Sequence, residues 1–132
     1  MPSIVTDNSP RSTHRARRDP ASGARAEAIA AAYLERRGLQ VVARNFRTRF
    51  GEIDIVARDG DSLVFVEVRL RQSAAFGGAA ESITTAKRAR LVAAAQGYLA
   101  TLGREPPCRF DALLLDDAAG NAIEWQRDII DT

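Results

Sequence analysis

At 132 residues with 45% hydrophobic content, the chain has the length of one domain that buries about two-thirds of its unfolded surface. One cysteine and one histidine exclude an internal disulfide framework and leave too few nitrogen and sulfur ligands for a structural zinc site. No apolar run reaches the length of a membrane span and no signal-peptide core is present, so a soluble cytoplasmic protein with no membrane partner is expected, and the net charge of +2 is too small to argue alone for a polyanionic partner.

Residues 1–19, MPSIVTDNSPRSTHRARRD, are polar, carry two prolines and show no apolar period. This composition predicts a disordered basic tail, with a single domain over 20–132. Arg11, Arg15, Arg17 and Arg18 against Asp7 and Asp19 account for the whole charge excess. His14 lies in the same stretch, which argues against histidine-based catalysis.

Asp19-Pro20 suits a helix N-cap and first position, and Gly38 suits the stop, so 20–37 is expected to be helical. Ile29, Tyr33 and Leu34 supply its apolar stripe. Glu27 is aligned with Ala31 and Leu34 at spacings of four and seven, at the stripe's edge; it is either a boundary helix former or a carboxylate turned toward a site. A first strand follows over Leu39–Phe46. Arg36, Arg37, Arg44, Arg47 and Arg49 occupy this region without an intervening acid, a run that could track a phosphate backbone or form a solvated face.

The next stretch, Gly51–Arg71, reads as a hairpin, with strands Gly51–Arg58 and Ser62–Leu70 about an Asp59-Gly60 turn. Strict alternation puts Glu52, Asp54, Val56 and Arg58 on one face of the first strand and Leu63, Phe65, Glu67 and Arg69 on one face of the second. Val64-Phe65-Val66 is apolar on both faces, which marks a central strand. A Glu in its continuation then requires a compensating cation. Asp54 and Glu67 from adjacent strands, with Arg69 two residues beyond, suit a divalent metal, Mg²⁺ or Mn²⁺, held by oxygen ligands beside a phosphate. The alternative is an ordinary Glu67/Arg69 or Asp54/Arg69 pair on an edge hairpin.

A Gly-containing loop, 72–80, with Phe76-Gly77-Gly78, is expected to be exposed and could cover a substrate. A second helix starts near 83–85 under a threonine cap and runs to Leu102 before Gly103, with Leu91, Ala94, Ala95, Tyr98 and Leu102 as its stripe. Lys87, the sole lysine among 19 basic residues, crowds the first turns with Arg88 and Arg90, either as a phosphate site or as part of a basic amphipathic helix. Cys108–Leu115 forms a strand, with Asp111 structural or edge-located, and 121–130 adds a final strand containing Trp125.

The segments Gly23-Ala24-Arg25-Ala26-Glu27, Asn45-Phe46-Arg47-Thr48-Arg49, Gly51-Glu52-Ile53-Asp54, Leu63 to Arg71 and Lys87 to Arg90 resemble the YraN-like family of uncharacterised bacterial proteins. That family is similar to the restriction-endonuclease-like superfamily and to archaeal Holliday junction resolvases. The resemblance implies an α/β fold of order αβββαβ, a mixed sheet flanked by helices, with Asp54 and Glu67 as metal ligands and Glu27 as an accessory acid. Arg69 departs from the family pattern, which has Lys there; an arginine stays protonated and so cannot act as a base, though it can stabilise charge.

The expected function is a Mg²⁺-dependent endonuclease acting on DNA, branched or structured DNA included. The metal would be held by Asp54, Glu67 and the Val68 carbonyl, and Arg69, Glu27 and Lys87 would complete the catalytic set. Arg44, Arg47, Arg49, Arg71, Lys87, Arg88 and Arg90 are the expected nucleic-acid contacts, and analogy with resolvases implies a homodimer. A nucleic-acid-binding module without turnover and a protein-interaction domain whose acids pair with its own arginines are the alternatives.

Overall fold

The computed structural model describes residues 20–70, 84–116 and 122–130. The expected basic tail, the 72–80 loop and Arg71 lie outside the described residues. In chain order the elements are α1 (Pro20–Arg36), β1 (Gln40–Thr48), β2 (Gly51–Asp59), β3 (Ser62–Leu70), α2 (Thr85–Leu102), β4 (Cys108–Leu115) and β5 (Ile123–Gln126). Gly38, at φ +97, follows α1 in a left-handed conformation that a Cβ would strain. Thr84 caps α2 by accepting from the Lys87 amide at 3.1 Å, and Gly103, at φ +72, ends it.

The five strands form one sheet in the order β1-β2-β3-β4-β5. β3 and β4 are parallel and every other neighbouring pair is antiparallel. Parallel neighbours require a long crossover, and α2 lies within this one. The fold is therefore α/β with a mixed sheet, and β3 is central, as its apolar character on both faces requires.

Alternate side chains of β3 fill two separate cores. Val64, Val66 and Val68 pack with Ala26, Ala30 and Leu34 of α1, together with Leu113 and Leu115. Leu63 and Phe65 pack with Leu91, Ala94 and Ala95 of α2 and with Phe110. The two helices thus cover opposite faces. None of the described helices is long and apolar enough to cross a membrane.

One local expectation needs correction, and one open alternative, that Asp111 is structural or edge-located, is decided. The β2–β3 ladder closes at Asp59↔Ser62, so the turn residues are Gly60 and Asp61 rather than Asp59-Gly60. Gly60 has φ +63 and Asp61 does not share a positive φ, which is the type II′ pattern with glycine in first place. Asp111 is not at an edge: β4 lies between β3 and β5, and Asp111 is 0% exposed. It accepts hydrogen bonds from Arg109 Nε at 3.1 Å, Trp125 Nε1 at 2.9 Å and the Asp128 amide at 2.9 Å. Arg109 also reaches Asp59 at 3.2 Å. This network ties the end of the chain to the β2–β3 turn.

Candidate functional site

The pleat of the β1–β2 ribbon breaks beside Asp54, away from the bulge between Val41 and Ala43. Arg44 pairs with Ile55 and Phe46 with Ile53, leaving Asn45 and Asp54 between them. Ile55 belongs to the α1-side core, whereas Ile53 and Phe46 belong to the α2-side core. Residues two apart should share a face; here they do not. Asn45 adopts φ +54, a conformation asparagine tolerates better than most residues. The regular alternation expected for Glu52, Asp54 and Val56 is therefore corrected: both strands exchange faces at Asn45 and Asp54.

The β2–β3 ladder opens at the same place. Its last pair is Ile55↔Val66. One step further, the same register would set Asp54 opposite Glu67 and Ile53 opposite Val68. Instead, Asp54 Oδ2 accepts the Val68 amide at 2.8 Å. A carboxylate thus occupies the place of a backbone acceptor. β3 remains paired on its other side, with Glu67↔Ala112 and Arg69↔Leu114, so one edge of it is opened for a side chain while the strand stays central.

Three acids surround this opening. Asp54 is partly buried, and its carboxyl is pushed well above the usual range, first by burial and then by the charges of Glu67 and Glu27; the Val68 hydrogen bond opposes the shift. Glu27, only 8% exposed, accepts from Asn45 Nδ2 at 2.7 Å and pairs with Arg44 at 3.5 Å. Burial raises its pKa too, and those two partners work against the rise. Glu67 pairs with Arg69 at 3.3 Å. The Glu67/Arg69 pair envisaged for an edge hairpin therefore forms, but on a central strand. Asn45 had no site role in the sequence reading. Its signal is an amide residue, poor in strand propensity, in the middle of a strand.

Among the described residues, no group of three or more His, Cys, Asp or Glu could by itself hold a metal ion. The oxygen donors expected for a cation are Asp54, Glu67 and the Val68 carbonyl, which leaves its strand on the same side as the amide bonded to Asp54. Oxygen-only donors of this kind fit a hard divalent cation such as Mg²⁺ or Mn²⁺. Asp54 retains lone pairs beyond the one given to Val68.

The basic residues are more dispersed than a run of arginines suggests. Arg37 lies over the Tyr33 ring at 4.5 Å, Arg44 is on Glu27, and Arg47 Nε meets Glu52 at 3.1 Å. Arg49 lies over Phe50 at 5.3 Å. Lys87, half-buried, and the exposed Arg88 and Arg90 occupy the opening turns of α2. The helix lies close on the β1–β2 ribbon: a Cβ on Gly51 of β2 would stand 2.3 Å from the Arg90 carbonyl oxygen, and one on Gly97, later in α2, would stand 3.1 Å from Thr48 Cγ2 of β1. Glycine at 51 is thus required by a close approach of helix to strand.

Comparison with known proteins finds relatives along most of the chain. The profile of the family described as "Uncharacterised protein family UPF0102" matches residues 26–115. A UPF0102 protein of Nitrosomonas europaea is 50% identical over 109 residues, covering 83% of this chain and 92% of the relative. One of Dechloromonas aromatica is 57% identical over 106 residues, covering 80% and 84%. One of Cupriavidus taiwanensis is 54% identical over 112 residues, covering 84% and 83%. The chain belongs to the UPF0102 family, the YraN-like family of the sequence resemblance.

Proposed function

We propose that the chain is a Mg²⁺- or Mn²⁺-dependent endonuclease that hydrolyses phosphodiester bonds in DNA, branched or structured DNA included. The observation that carries this reading is the opened step of the β2–β3 ladder, where the Asp54 carboxyl sits with the charges of Glu67 and Glu27 beside it. Acids gathered in this way cost stability that Arg44 and Arg69 do not fully offset, since the Glu27 and Asp54 pKa values still rise, and acids so perturbed suit a cation or a phosphate reaction. The order αβββαβ, followed by β5, is read as that of a restriction-endonuclease-like core.

Asp54, Glu67 and the Val68 carbonyl would hold the ion, which when bound supplies Lewis-acid charge and lowers the pKa of water. Glu27, oriented by Asn45 and Arg44, provides a buried carboxyl that accepts a hydrogen bond from an attacking water or holds its proton. Arg69, already directed at Glu67, brings permanent positive charge to the place where phosphate charge develops. Lys87, Arg88 and Arg90 supply cations for flanking phosphates from a helix whose depth is set by Gly51. A homodimer would match the two-fold symmetry of a four-way junction.

The second reading is a nucleic-acid-binding module without turnover. Arg69 favours it, because a guanidinium cannot take a proton from water. The test is cleavage of labelled duplex, single-stranded and four-way-junction DNA with Mg²⁺, Mn²⁺ or EDTA, using wild type and Asp54→Asn. Metal-dependent cutting lost in Asp54→Asn supports the nuclease. Binding without cutting supports the module. A protein that neither cuts nor binds overturns both and leaves the interaction domain, whose acid–arginine pairs are Glu27–Arg44, Glu52–Arg47 and Glu67–Arg69.

A further inference from the structure

Two large hydrophobic side chains are exposed among the described residues, Val42 at 38% and Phe50 at 62%. Val42 is the residue skipped where the β1–β2 register shifts between Val41 and Ala43, so its exposure follows from the bulge. Phe50 has no such origin. It lies in the two-residue turn between Thr48 and Gly51, where a polar residue or glycine would be the ordinary choice.

The turn is also unusually well fixed. Thr48 Oγ1 accepts the amides of Phe50 at 3.0 Å and Gly51 at 3.1 Å and donates to the Gly51 carbonyl at 3.1 Å. Gly51 itself rests on the backbone of Arg90. An aromatic ring is thereby presented to solvent on a rigid support, which lowers the entropy lost when something binds it. Arginines flank it: Arg49 lies over the ring at 5.3 Å, Arg47, exposed and paired with Glu52, is three residues before it, and the backbone of the exposed Arg90 lies against the neighbouring Gly51.

We propose that Phe50 is a stacking platform for an unpaired nucleobase, with Arg49, Arg47 and Arg90 meeting the adjoining phosphates. This inference rests on the nucleic-acid reading given above and adds to it a preference for unpaired bases. An exposed aromatic among arginines matches single-stranded nucleic acid, which offers a π-face and a phosphate at each nucleotide. A closed duplex offers phosphates but hides its base faces. Phe50 precedes Asp54 by four residues, at most about 13 Å of chain, a distance spanned by up to about four stacked nucleotides. A base held at the turn therefore sets which phosphate reaches the acidic step.

The experiment is fluorescence anisotropy with labelled oligo(dT) and with a blunt hairpin duplex, without metal, on wild type, Phe50→Ala and Phe50→Trp. Phe50→Ala is expected to weaken oligo(dT) binding by about 10-fold and to leave duplex binding within about two-fold. Phe50→Trp should retain oligo(dT) binding, and its added indole emission should be quenched by the oligonucleotide. Equal affinity of wild type and Phe50→Ala for oligo(dT), or an equal loss on both ligands, overturns the platform while leaving nucleic-acid binding standing. A wild type that binds neither ligand overturns both. If Phe50→Ala instead abolishes self-association seen by sedimentation and leaves oligo(dT) affinity unchanged, the ring belongs to a contact between copies of the chain and the proposal fails.

Discussion

The Asp54 carboxylate accepts the Val68 amide at the point where β2 and β3 stop pairing. The same side chain that marks the site thus replaces a rung of the sheet, and structure and chemistry compete for it. Asp111, by contrast, is a fully buried acid whose donors are all supplied by Arg109, Trp125 and Asp128.

Metal-free protein should be more stable with Asp54→Asn at neutral pH. Burial and then Glu67 and Glu27 raise the Asp54 pKa, so the folded chain binds that proton more tightly than the unfolded chain. Stability is then lost as pH rises from the ordinary carboxylate value of about 3.9 through the folded value. Asparagine keeps an acceptor for Val68 and removes the charge. A gain of about 1 kcal/mol, or about 4 °C in a thermal melt, is expected at pH 7 and should vanish at acid pH. Mg²⁺ should raise the melting temperature of wild type and not of the variant; a wild type indifferent to Mg²⁺ counts against the metal site.

Asp111→Ala should do the opposite. Removing the acceptor takes from Arg109 its buried partner, leaving it Asp59, and deprives the Trp125 and Asp128 N–H groups of theirs, for which about 2–3 kcal/mol is expected. Urea denaturation followed by circular dichroism measures it, and a loss under about 1 kcal/mol would show that water replaces the carboxylate.

Asn45 carries two separable duties. Asn45→Gly keeps the positive φ and loses the hydrogen bond to Glu27, whereas Asn45→Ala loses both. Alanine should therefore be the worse variant by about 1 kcal/mol in a urea titration. Both should slow any metal-dependent cleavage to a similar degree, because both release Glu27.

Arg69→Lys exchanges a permanent cation for one that can lose its proton. Metal-dependent cleavage should rise by about 10-fold or more, with a rate that climbs toward alkaline pH. Single-turnover assays across pH test this. A fall in rate would mean that the guanidinium's two-pronged geometry is itself what the reaction uses.

Periodicity and punctuation were sufficient for most of the fold. Thr84, Gly103 and the β3 limits fall where capping and alternation place them, because these depend on residues adjacent in sequence. The face exchange at Asn45 and Asp54 was not legible, since it depends on a backbone angle at one residue and on how two strands meet. The one-residue shift of the Gly60-Asp61 turn has the same origin, a choice of turn type decided by the ladder. Asp54 and Glu67 were legible as acids on neighbouring strands, and Glu27 as an acid at the edge of the α1 stripe. The partners that take up the arginines were not, because Arg44 meets Glu27 across 17 positions and Arg47 meets Glu52 only once the ribbon is closed.

Gly51 against the Arg90 carbonyl leaves no side chain between strand and helix. The contact works as a height stop: it fixes how far Lys87, Arg88 and Arg90 stand above the ribbon that carries Asp54. Even a methyl group there would jack the helix outward, and the spacing between cations and acids would change without either set being altered. A spacing between strand and helix is thus written in an absent side chain three residues before Asp54.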